Sequence, residues 1–277
     1  MFEPGVTVQL NSRVRRLTAP NPGVMTGPGT NTYLLGNDEV AVLDPGPLID
    51  SHVEAILAAG EGKIRWIIAT HTHPDHSPAW LPLKEATGAQ VIGARPWDDM
   101  FQDDTFAPEV EVQHHQLLHA PEFTLRAIHT PGHVGNHYCF FLEEEGMLFT
   151  GDHIMSGSTV VIVPPSGDMK AYIDSLELLR DYPLQSLAPG HGKVIDDPEE
   201  AVSWLIKHRL QREQKVVDCL QQLSQASLDE LVLVVYDDVD SSIHHMAKLS
   251  LTAHLIKLQQ EGRAHCNSKE IWTLCTD

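Results

Sequence analysis

The sequence lacks any run of about 18 apolar residues, so no segment is long enough to cross a bilayer as a helix. Its beginning, MFEPGVTVQLNSRVRRL, has no leucine-rich stretch followed by a small-residue cleavage site. The few cysteines are far apart and form no C-x-x-C pair, which argues against a disulfide framework and a zinc knuckle. These absences predict a soluble protein of the reducing cytoplasm. The cysteines are Cys139, Cys219, Cys266 and Cys275.

Positive charge is also scarce. The 277 residues include 19 lysines and arginines against 38 aspartates and glutamates, a formal net charge of −19. Such a surface repels polyanions at long range, so we expect neither membrane binding nor binding to double-stranded DNA. Hydrophobic residues make up 42% of the chain, enough at this length for a large globular core.

The first 200 residues contain two strand-rich halves. Apolar runs separated by Gly/Pro-rich turns predict several strands before residue 45, a helix over 49–59 and a buried strand over 64–70. A second helix is expected from Ser77, as N-cap, to Gly88, with Pro82 inside it. Strands follow over 123–152, and Asp168 can cap a helix over 169–182. The order predicts an α/β fold, an αββα sandwich with its functional loops at one sheet edge.

The last 80 residues have a different pattern. Apolar positions at near-helical spacing predict one long helix of about seven turns from residue 197. A capping box, Ser227 to Glu230, opens the next helix, and a third helix ends at Gly262 before two short strands. Three helices and a hairpin describe a winged-helix-like domain. We therefore expect an α/β domain over 1–205 and a winged-helix-like domain over 206–277.

The segment IIATHTHPDHSPAW gathers three histidines and an aspartate within six positions, directly after an apolar run. His71 and His73 alternate along an extended segment, whereas Asp75 and His76 lie on the turn before the predicted helix. This arrangement can supply two sets of metal ligands. Imidazole nitrogens with carboxylate oxygens favour zinc, or manganese or iron, over calcium or magnesium.

Three further segments have the same form. HTPGHVGNH, FTGDH and APGHG each place a metal-ligating side chain after an apolar run and beside glycine, which lets the backbone pack closely. The side chains concerned are His133, Asp152 and His191. Four such segments are difficult to explain by packing alone.

With Asp44 in VLDPG, these motifs resemble those of metallo-β-lactamase superfamily hydrolases, in family order along the first 200 residues. The resemblance implies that one metal is held by three histidines and a second by two histidines and an aspartate, with Asp152 bridging the two. Asp44 would anchor the histidine loop instead of binding metal. The implied first set is His71, His73 and His133, and the second is Asp75, His76 and His191.

Two divalent ions about 3.5 to 4 Å apart can share a bridging hydroxide and polarise the carbonyl or phosphoryl group under attack. No serine or cysteine nucleophile is needed. The expected cofactor is therefore two zinc ions per chain, with manganese or iron as alternatives. Asp75 and Asp152 are the expected catalytic residues, because either can orient that hydroxide and accept its proton.

A closer resemblance extends over nearly the whole chain. NPGVMTGPGTNTYLLG, GDHIMSGSTVV, PGHGKVI, HRLQREQ and AHLIKLQQEGR are similar to the lactamase-beta-2-type subfamily, whose catalytic domain precedes a winged-helix-like tail. That subfamily includes a metal-dependent endoribonuclease. Single-stranded RNA is therefore the first predicted substrate, and a homodimer is left open.

Additional residues are candidates for substrate binding. The densest basic cluster lies on the long helix, where His208, Arg209 and Arg212 could guide a phosphate backbone. A solvated helix face paired with nearby glutamates explains it equally well, and no aromatic side chains are interleaved with it. His137 could reach the cleft, or it could be a packed strand histidine.

Two alternatives to RNA cleavage remain. The first is a thioester or small-ester hydrolase like the glyoxalase II branch, for which an acidic protein is equally suited. The second is a nucleic-acid-binding or assembly module with a structural metal. A structural zinc is closed by four protein ligands, whereas the expected ligand sets leave room for water.

Overall fold

A computed structural model describes residues 2–97, 99 and 101–275. Internal contacts divide the chain into two units. The first comprises residues up to Thr130, Asn136–Val160 and Arg180–Glu199, and the second comprises Pro131–Gly135, Val161–Leu179 and Glu200 onward. The predicted boundary between residues 205 and 206 stays a prediction. Among the described residues, no helix is both long and apolar enough to cross a membrane.

The first unit contains a seven-stranded sheet whose spatial order follows the sequence. Its first four strands are antiparallel and the later pairings are parallel. Tyr33 pairs with Leu43, and Leu43 in turn pairs with Ile68. The strands are β1 (Val8–Gln9), β2 (Val14–Thr18), β3 (Asn31–Leu35), β4 (Val40–Leu43), β5 (Ile64–Ile68), β6 (Gln90–Gly93) and β7 (Val110–Glu111).

The first unit also contains a five-stranded sheet. Three antiparallel pairings are followed by one parallel pairing at its edge. In chain order the strands are β8 (Leu117–His119), β9 (Thr124–His129), β10 (Tyr138–Leu142), β11 (Met147–Gly151) and β12 (Ser186–Pro189). Their spatial order is β12-β11-β10-β9-β8.

Alternating side chains give the seven-stranded sheet two buried faces. In β4, Ala41 and Leu43 join a core that also contains residues of the five-stranded sheet, such as Phe140. Val40 and Val42 point to the other face, against helices α1 (Asp50–Gly60) and α2 (Trp80–Thr87). The predicted helix–sheet–sheet layering is therefore present.

The predicted start of α2 is wrong. The helix begins at Trp80, with Ala79 as its N-cap residue and no side-chain cap. Ser77 instead donates its hydroxyl to a carboxylate elsewhere in the first unit, so it is unavailable to cap the helix. Pro82 falls in the first turn, where no intrahelical amide donor is required of it. Gly88 ends the helix with a φ of +69°, as the sequence predicts.

The second unit is helical, with a small three-stranded sheet. Asp168 caps the first helix by accepting from the amide of Ala171 at 2.8 Å, and the capping box of Ser227 and Glu230 is present. Both caps confirm the sequence prediction. The helices are α3 (Met169–Leu178), α4 (Pro198–Leu223, which begins in the first unit), α5 (Leu228–Val235) and α6 (His244–Gln260). There are 3-10 turns at Leu179–Asp181, which ends in the first unit, and at Ser241–Ile243.

Strands β13 (Ala226–Ser227), β14 (Ala264–Cys266) and β15 (Ile271–Leu274) form the small sheet in the order β13-β15-β14. The predicted terminal hairpin is thus β14 and β15, which pair antiparallel. Apolar side chains of α4, α5 and α6 pack with Trp272 of the hairpin. Three helices and a hairpin form the expected winged-helix-like arrangement.

A buried ionic cluster links α4 to α6. The carboxylate of Glu213 lies 2.8 Å from Lys257 Nζ and 2.9 Å from Arg263 Nη1. Burial disfavours its charged form, but the neighbouring His254 and Lys257 outweigh burial and lower the pKa of Glu213 from 4.5 to about 2. The ionised carboxylate therefore stabilises the folded second unit.

We expect Glu213→Gln to destabilise the protein by about 3 kcal/mol at pH 7. Because the folded pKa is depressed, this stabilisation is present above the unfolded pKa and is lost as pH falls from about 4.5 toward 2. Chemical denaturation from pH 7 to pH 3 should show the variant and wild type converging in acid. Glu200→Gln, an exposed change on the same helix, is the control. A difference that stays constant with pH would contradict the assignment.

Candidate metal centre

The candidate ligands of the first unit follow the carboxyl ends of strands. Residues 71–76, here called the ligand loop, follow β5, and Asp44 directly follows β4. Asp152 directly follows β11, and His191 lies two residues beyond β12. Because β4 is parallel to β5 and β11 to β12, each pair delivers its loops to one sheet edge.

Asp44 anchors the ligand loop. It adopts a positive φ of 52°, which is uncommon for aspartate, and its carboxylate is buried. One oxygen accepts from the Thr70 amide at 2.7 Å. The other accepts from the Thr70 hydroxyl at 2.9 Å and lies 3.0 Å from His76 Nδ1. Asp44 thereby orients both ends of the loop, the role that the family resemblance implies.

This network assigns the tautomer of His71. Since the Thr70 hydroxyl donates to Asp44, its oxygen accepts from His71 Nδ1, 3.0 Å away. Burial, reinforced by His76 and His73, holds the pKa of His71 well below its ordinary value, so the ring is neutral. Its Nε2 therefore carries a lone pair, and this atom lies 3.1 Å from His73 Nδ1.

Two carboxylates and two imidazoles converge beside the ligand loop. His76 Nε2 lies 3.5 Å from Asp75 Oδ2 and 3.3 Å from Asp152 Oδ1. His191 Nε2 lies 3.2 Å from Asp75 Oδ2 and 3.3 Å from Asp152 Oδ1. On the far side of the ring, His191 Nδ1 lies 3.3 Å from the carbonyl oxygen of Gly29. Each imidazole thus presents Nε2 to both carboxylates.

The electrostatics of this cluster are those of ionised carboxylates facing protonated histidines. Burial opposes ionisation of Asp75, but His76 and His191 outweigh it and lower the Asp75 pKa to about 2. Burial likewise opposes protonation of His191, but the carboxylate of Asp152 raises the His191 pKa to about 9. The same carboxylates raise the pKa of His76. A divalent cation can replace these protons, since metal binding requires unprotonated nitrogen.

Two glycines allow these groups to approach. A Cβ on Gly190 would lie 2.7 Å from the His76 ring and 2.9 Å from the Asp152 carboxylate. Gly151 has a φ of +46°, and a Cβ there would lie 2.5 Å from the Thr70 hydroxyl. A side chain at either position would displace a group of the site.

His137 lies behind Asp152 and is fully buried. Its Nε2 accepts from the Asp152 amide at 3.2 Å, and its Nδ1 lies 2.9 Å from the Thr130 hydroxyl. These contacts orient the backbone that carries Asp152. The substrate-binding role considered from the sequence stays a prediction.

The donor set fits a metal. Within the first unit, two sets of three groups place one ligand atom from each residue within 4.8 Å of the others. Both sets combine imidazole nitrogen with carboxylate oxygen, and the contacts of Nδ1 with protein acceptors are typical of metal-binding histidines. The sets are His71, His76 and Asp152, and Asp75, His76 and His191.

Comparison with known sequences agrees with this chemistry. Residues 25–191 match the sequence family described as the Metallo-beta-lactamase superfamily. The chain belongs to the metallo-β-lactamase superfamily. As a member it is a metal-dependent hydrolase, and residues 227–272 match the beta-lactamase associated winged helix domain. The predicted fold, a metallo-β-lactamase α/β sandwich followed by a winged helix, is confirmed.

Curated relatives of this metallo-β-lactamase superfamily member extend over most of its length. The chain is 34% identical to a Beta-lactamase-like protein 2 homolog of Drosophila melanogaster, over 94% of this chain and 92% of the relative. It is 33% identical to an Atrochrysone carboxyl ACP thioesterase of Aspergillus chevalieri, over 84% of this chain and 74% of the relative.

Solved structures share the metallo-β-lactamase fold at low sequence identity. A metallo-beta-lactamase family protein from Thermus thermophilus has a TM-score of 0.79 at 21% identity and covers 96% of this chain and 100% of its own. A Beta-lactamase domain protein from Burkholderia ambifaria has a TM-score of 0.83 at 18% identity, with coverages of 99% and 95%. These similarities concern the fold.

The remaining predicted residues lie in the second unit. His133 has its Nδ1 2.8 Å from the carbonyl oxygen of Val161. Arg209 is buried, with its guanidinium 5.2 Å from the ring centre of Tyr172. The basic cluster does have an aromatic neighbour, because exposed Trp204 stacks on His208 with ring centres 5.2 Å apart.

Arg212 forms hydrogen bonds and an ion pair with other residues of the second unit. Its two terminal nitrogens reach the two carboxylate oxygens of Asp238 at 2.7 and 2.9 Å, and one also donates to the carbonyl of Val235. Lys215 pairs with Asp237. Arg212 and Lys215 are therefore neutralised by acidic partners within the second unit.

Sequence reasoning missed the segment that supports the His191 loop. The Thr30 hydroxyl donates to Asp75 at 3.2 Å, and the Asn31 amide group donates to the carbonyls of Pro189 and Gly192, each at 3.0 Å. Both residues belong to NPGVMTGPGTNTYLLG, a stretch used only as a family resemblance. A buried polar pair opening an apolar strand was the available signal.

Proposed function

We propose that this hydrolase cleaves a small thioester at a site holding two divalent metal ions. The main observation that supports a metal site is the orientation of its histidine rings. Nδ1 of His71, His76 and His191 each faces a protein acceptor, so that Nε2 of each is the nitrogen available to a metal. When bound, the ions would polarise the substrate carbonyl and make a water a stronger nucleophile.

The ligand roles follow the two sets. We propose that His71 and His73 hold one ion together with His133, whose Nδ1 contact with Val161 selects the tautomer with a lone pair on Nε2. Asp75, His76 and His191 would hold the other. The distances of Asp152 to His76 and His191, and its grouping with His71, favour it as the ligand common to both ions.

The remaining residues orient these groups. Asp44 accepts from His76 Nδ1 and from Thr70, and His137 fixes the Asp152 amide. Asp75, which would be an ionised carboxylate when it binds metal, could accept a proton from the attacking water. No step in this scheme needs a serine or cysteine nucleophile.

The choice of a thioester is supported by two observations. A relative that is 33% identical over 84% of this chain is named a thioesterase. Within the second unit, Arg212 and Lys215 are paired with Asp238 and Asp237, which reduces the positive charge that this helix offers to a polyanion. A small substrate does not require an extended row of positively charged side chains.

Single-stranded RNA, the substrate predicted first from the sequence, is the second candidate. The stack of exposed Trp204 on His208 favours it, because base stacking on aromatic side chains is a general way of binding single strands. Trp204 is 50% exposed, so part of its side chain is accessible to solvent.

We expect protein loaded with zinc or manganese to hydrolyse a small acyl thioester, measured by thiol release, and to leave a labelled single-stranded RNA intact. The Asp152→Ala variant, prepared in parallel, reveals contaminating thioesterases and nucleases. RNA cleavage by wild type alone, without thiol release, would reverse the order of the two candidates and would make Trp204→Ala the next variant.

A further inference from the structure

The segment after β6 contacts the ligand loop through buried polar groups. The sequence alone suggested an aspartate-rich surface excursion without chemistry. In the structure, Gln102 and Asp103 are buried while the neighbouring Asp104 is exposed. Burying a carboxylate costs free energy unless it accepts hydrogen bonds, so the buried Asp103 carboxylate needs donors around it.

Asp103 contacts the ligand loop near both of its ends. Its backbone amide donates to the carbonyl of Thr72 at 2.6 Å, and Thr72 lies between His71 and His73. Its carboxylate accepts from the Ser77 hydroxyl at 2.8 Å, and Ser77 directly follows His76. One residue thus contacts both the ligand loop, at Thr72, and the residue that directly follows it, Ser77.

The carboxylate of Asp103 is itself fixed. Its second oxygen accepts from the amide of Thr105 at 3.0 Å and from the Thr105 hydroxyl. These bonds orient the carboxylate toward Ser77 and leave it little freedom to rotate. A rigid acceptor fixes the position of the backbone that follows His76 more closely than water would.

A second set of contacts fixes the Thr72 side chain. The Thr72 hydroxyl donates to the Gln102 carbonyl oxygen, and the Asn136 amide group lies 2.7 Å from the same hydroxyl. Asn136 also donates to the carbonyl of Arg95 at 2.9 Å. The ligand loop is therefore connected to two other segments of the first unit.

We propose that Asp103 is a positioning residue for the metal ligands of the ligand loop. The inference rests on the proposed metal site and adds the group that keeps the loop in binding geometry. Asp103 is outside the proposed ligand sets and acts through Thr72 and Ser77. Partners of this kind change metal affinity by about 10- to 100-fold when they are removed.

The test is zinc affinity of the metal-stripped protein, measured by competition with a chromophoric chelator well below the unfolding temperature of each variant. Asp103→Ala should lower the affinity about 10- to 100-fold. Asp104→Ala, which removes the same charge from an exposed neighbour, should bind zinc like wild type. Asp103→Asn, which keeps an acceptor of the same shape, should recover part of the loss.

Wild-type affinity in Asp103→Ala would overturn the proposal, even if the variant melts at a lower temperature, because a purely structural role predicts that result. If Asp103→Ala does not fold, Ser77→Ala decides, since it removes the partner hydroxyl and leaves the carboxylate. Weaker zinc binding in Ser77→Ala supports the proposal, and unchanged binding overturns it. Wild type that binds no zinc would instead contradict the proposed function.

Discussion

Asp152→Ala should lower hydrolysis by about three orders of magnitude or more. Asp152 lies 3.3 Å from both His76 and His191, and it also belongs to the set with His71. As the proposed ligand of both ions, it has no substitute among these neighbours. The measurement is the initial rate of thioester hydrolysis by metal-loaded protein, together with metal content.

The fold should survive this substitution. The carboxylate of Asp152 contacts histidines that can lose their protons when their counter-charge is removed, and the Asp152 amide keeps its bond to His137 in an alanine variant. Circular dichroism should therefore resemble that of wild type. Asp152→Asn, which keeps the shape but not the charge, separates the loss of charge from the loss of packing. An active Asp152→Ala protein would contradict the bridging assignment.

Removal of the metals should abolish hydrolysis completely. Without them, His76 and His191 are protonated and face Asp75 and Asp152, an arrangement that supplies no nucleophile. Burial raises the pKa of the Cys139 thiol to about 12, so that cysteine does not replace the missing water. Hydrolysis measured after dialysis against a chelator, and again after stepwise zinc addition, tests this expectation.

Activity should return only as the second equivalent of zinc is added, because the proposed mechanism uses both sets of ligands. Magnesium serves as a control ion, since nitrogen-rich sites bind it weakly. Full activity in chelator-treated protein with no residual metal would contradict the metal-dependent mechanism.

The sequence predicts most residues of the candidate metal centre because each of them lies in a short motif that is recognisable by itself. The ligand loop follows directly from β5, and the glycines beside Asp152 and His191 indicate close backbone packing even in a single sequence. Residue type and spacing are therefore sufficient to propose the donors. The distances among Asp75, His76, Asp152 and His191 could come only from the folded sheets.

Predictions that depend on partners distant in sequence were less successful. The sequence pattern predicts Ser77 as a helix N-cap, yet its hydroxyl donates a hydrogen bond to Asp103, 26 residues away. Arg212 reads as part of an accessible basic cluster, yet it pairs with Asp238, also 26 residues away. In both cases tertiary contacts prevail over a local preference of the kind that sequence patterns report.

The proposed mechanism requires that one chain hold two metal ions at this site. Elemental analysis of protein purified without chelator tests it most directly, with metal expressed per chain. We expect two equivalents of a transition metal in wild type and fewer in Asp152→Ala. One equivalent or none in wild type would contradict it.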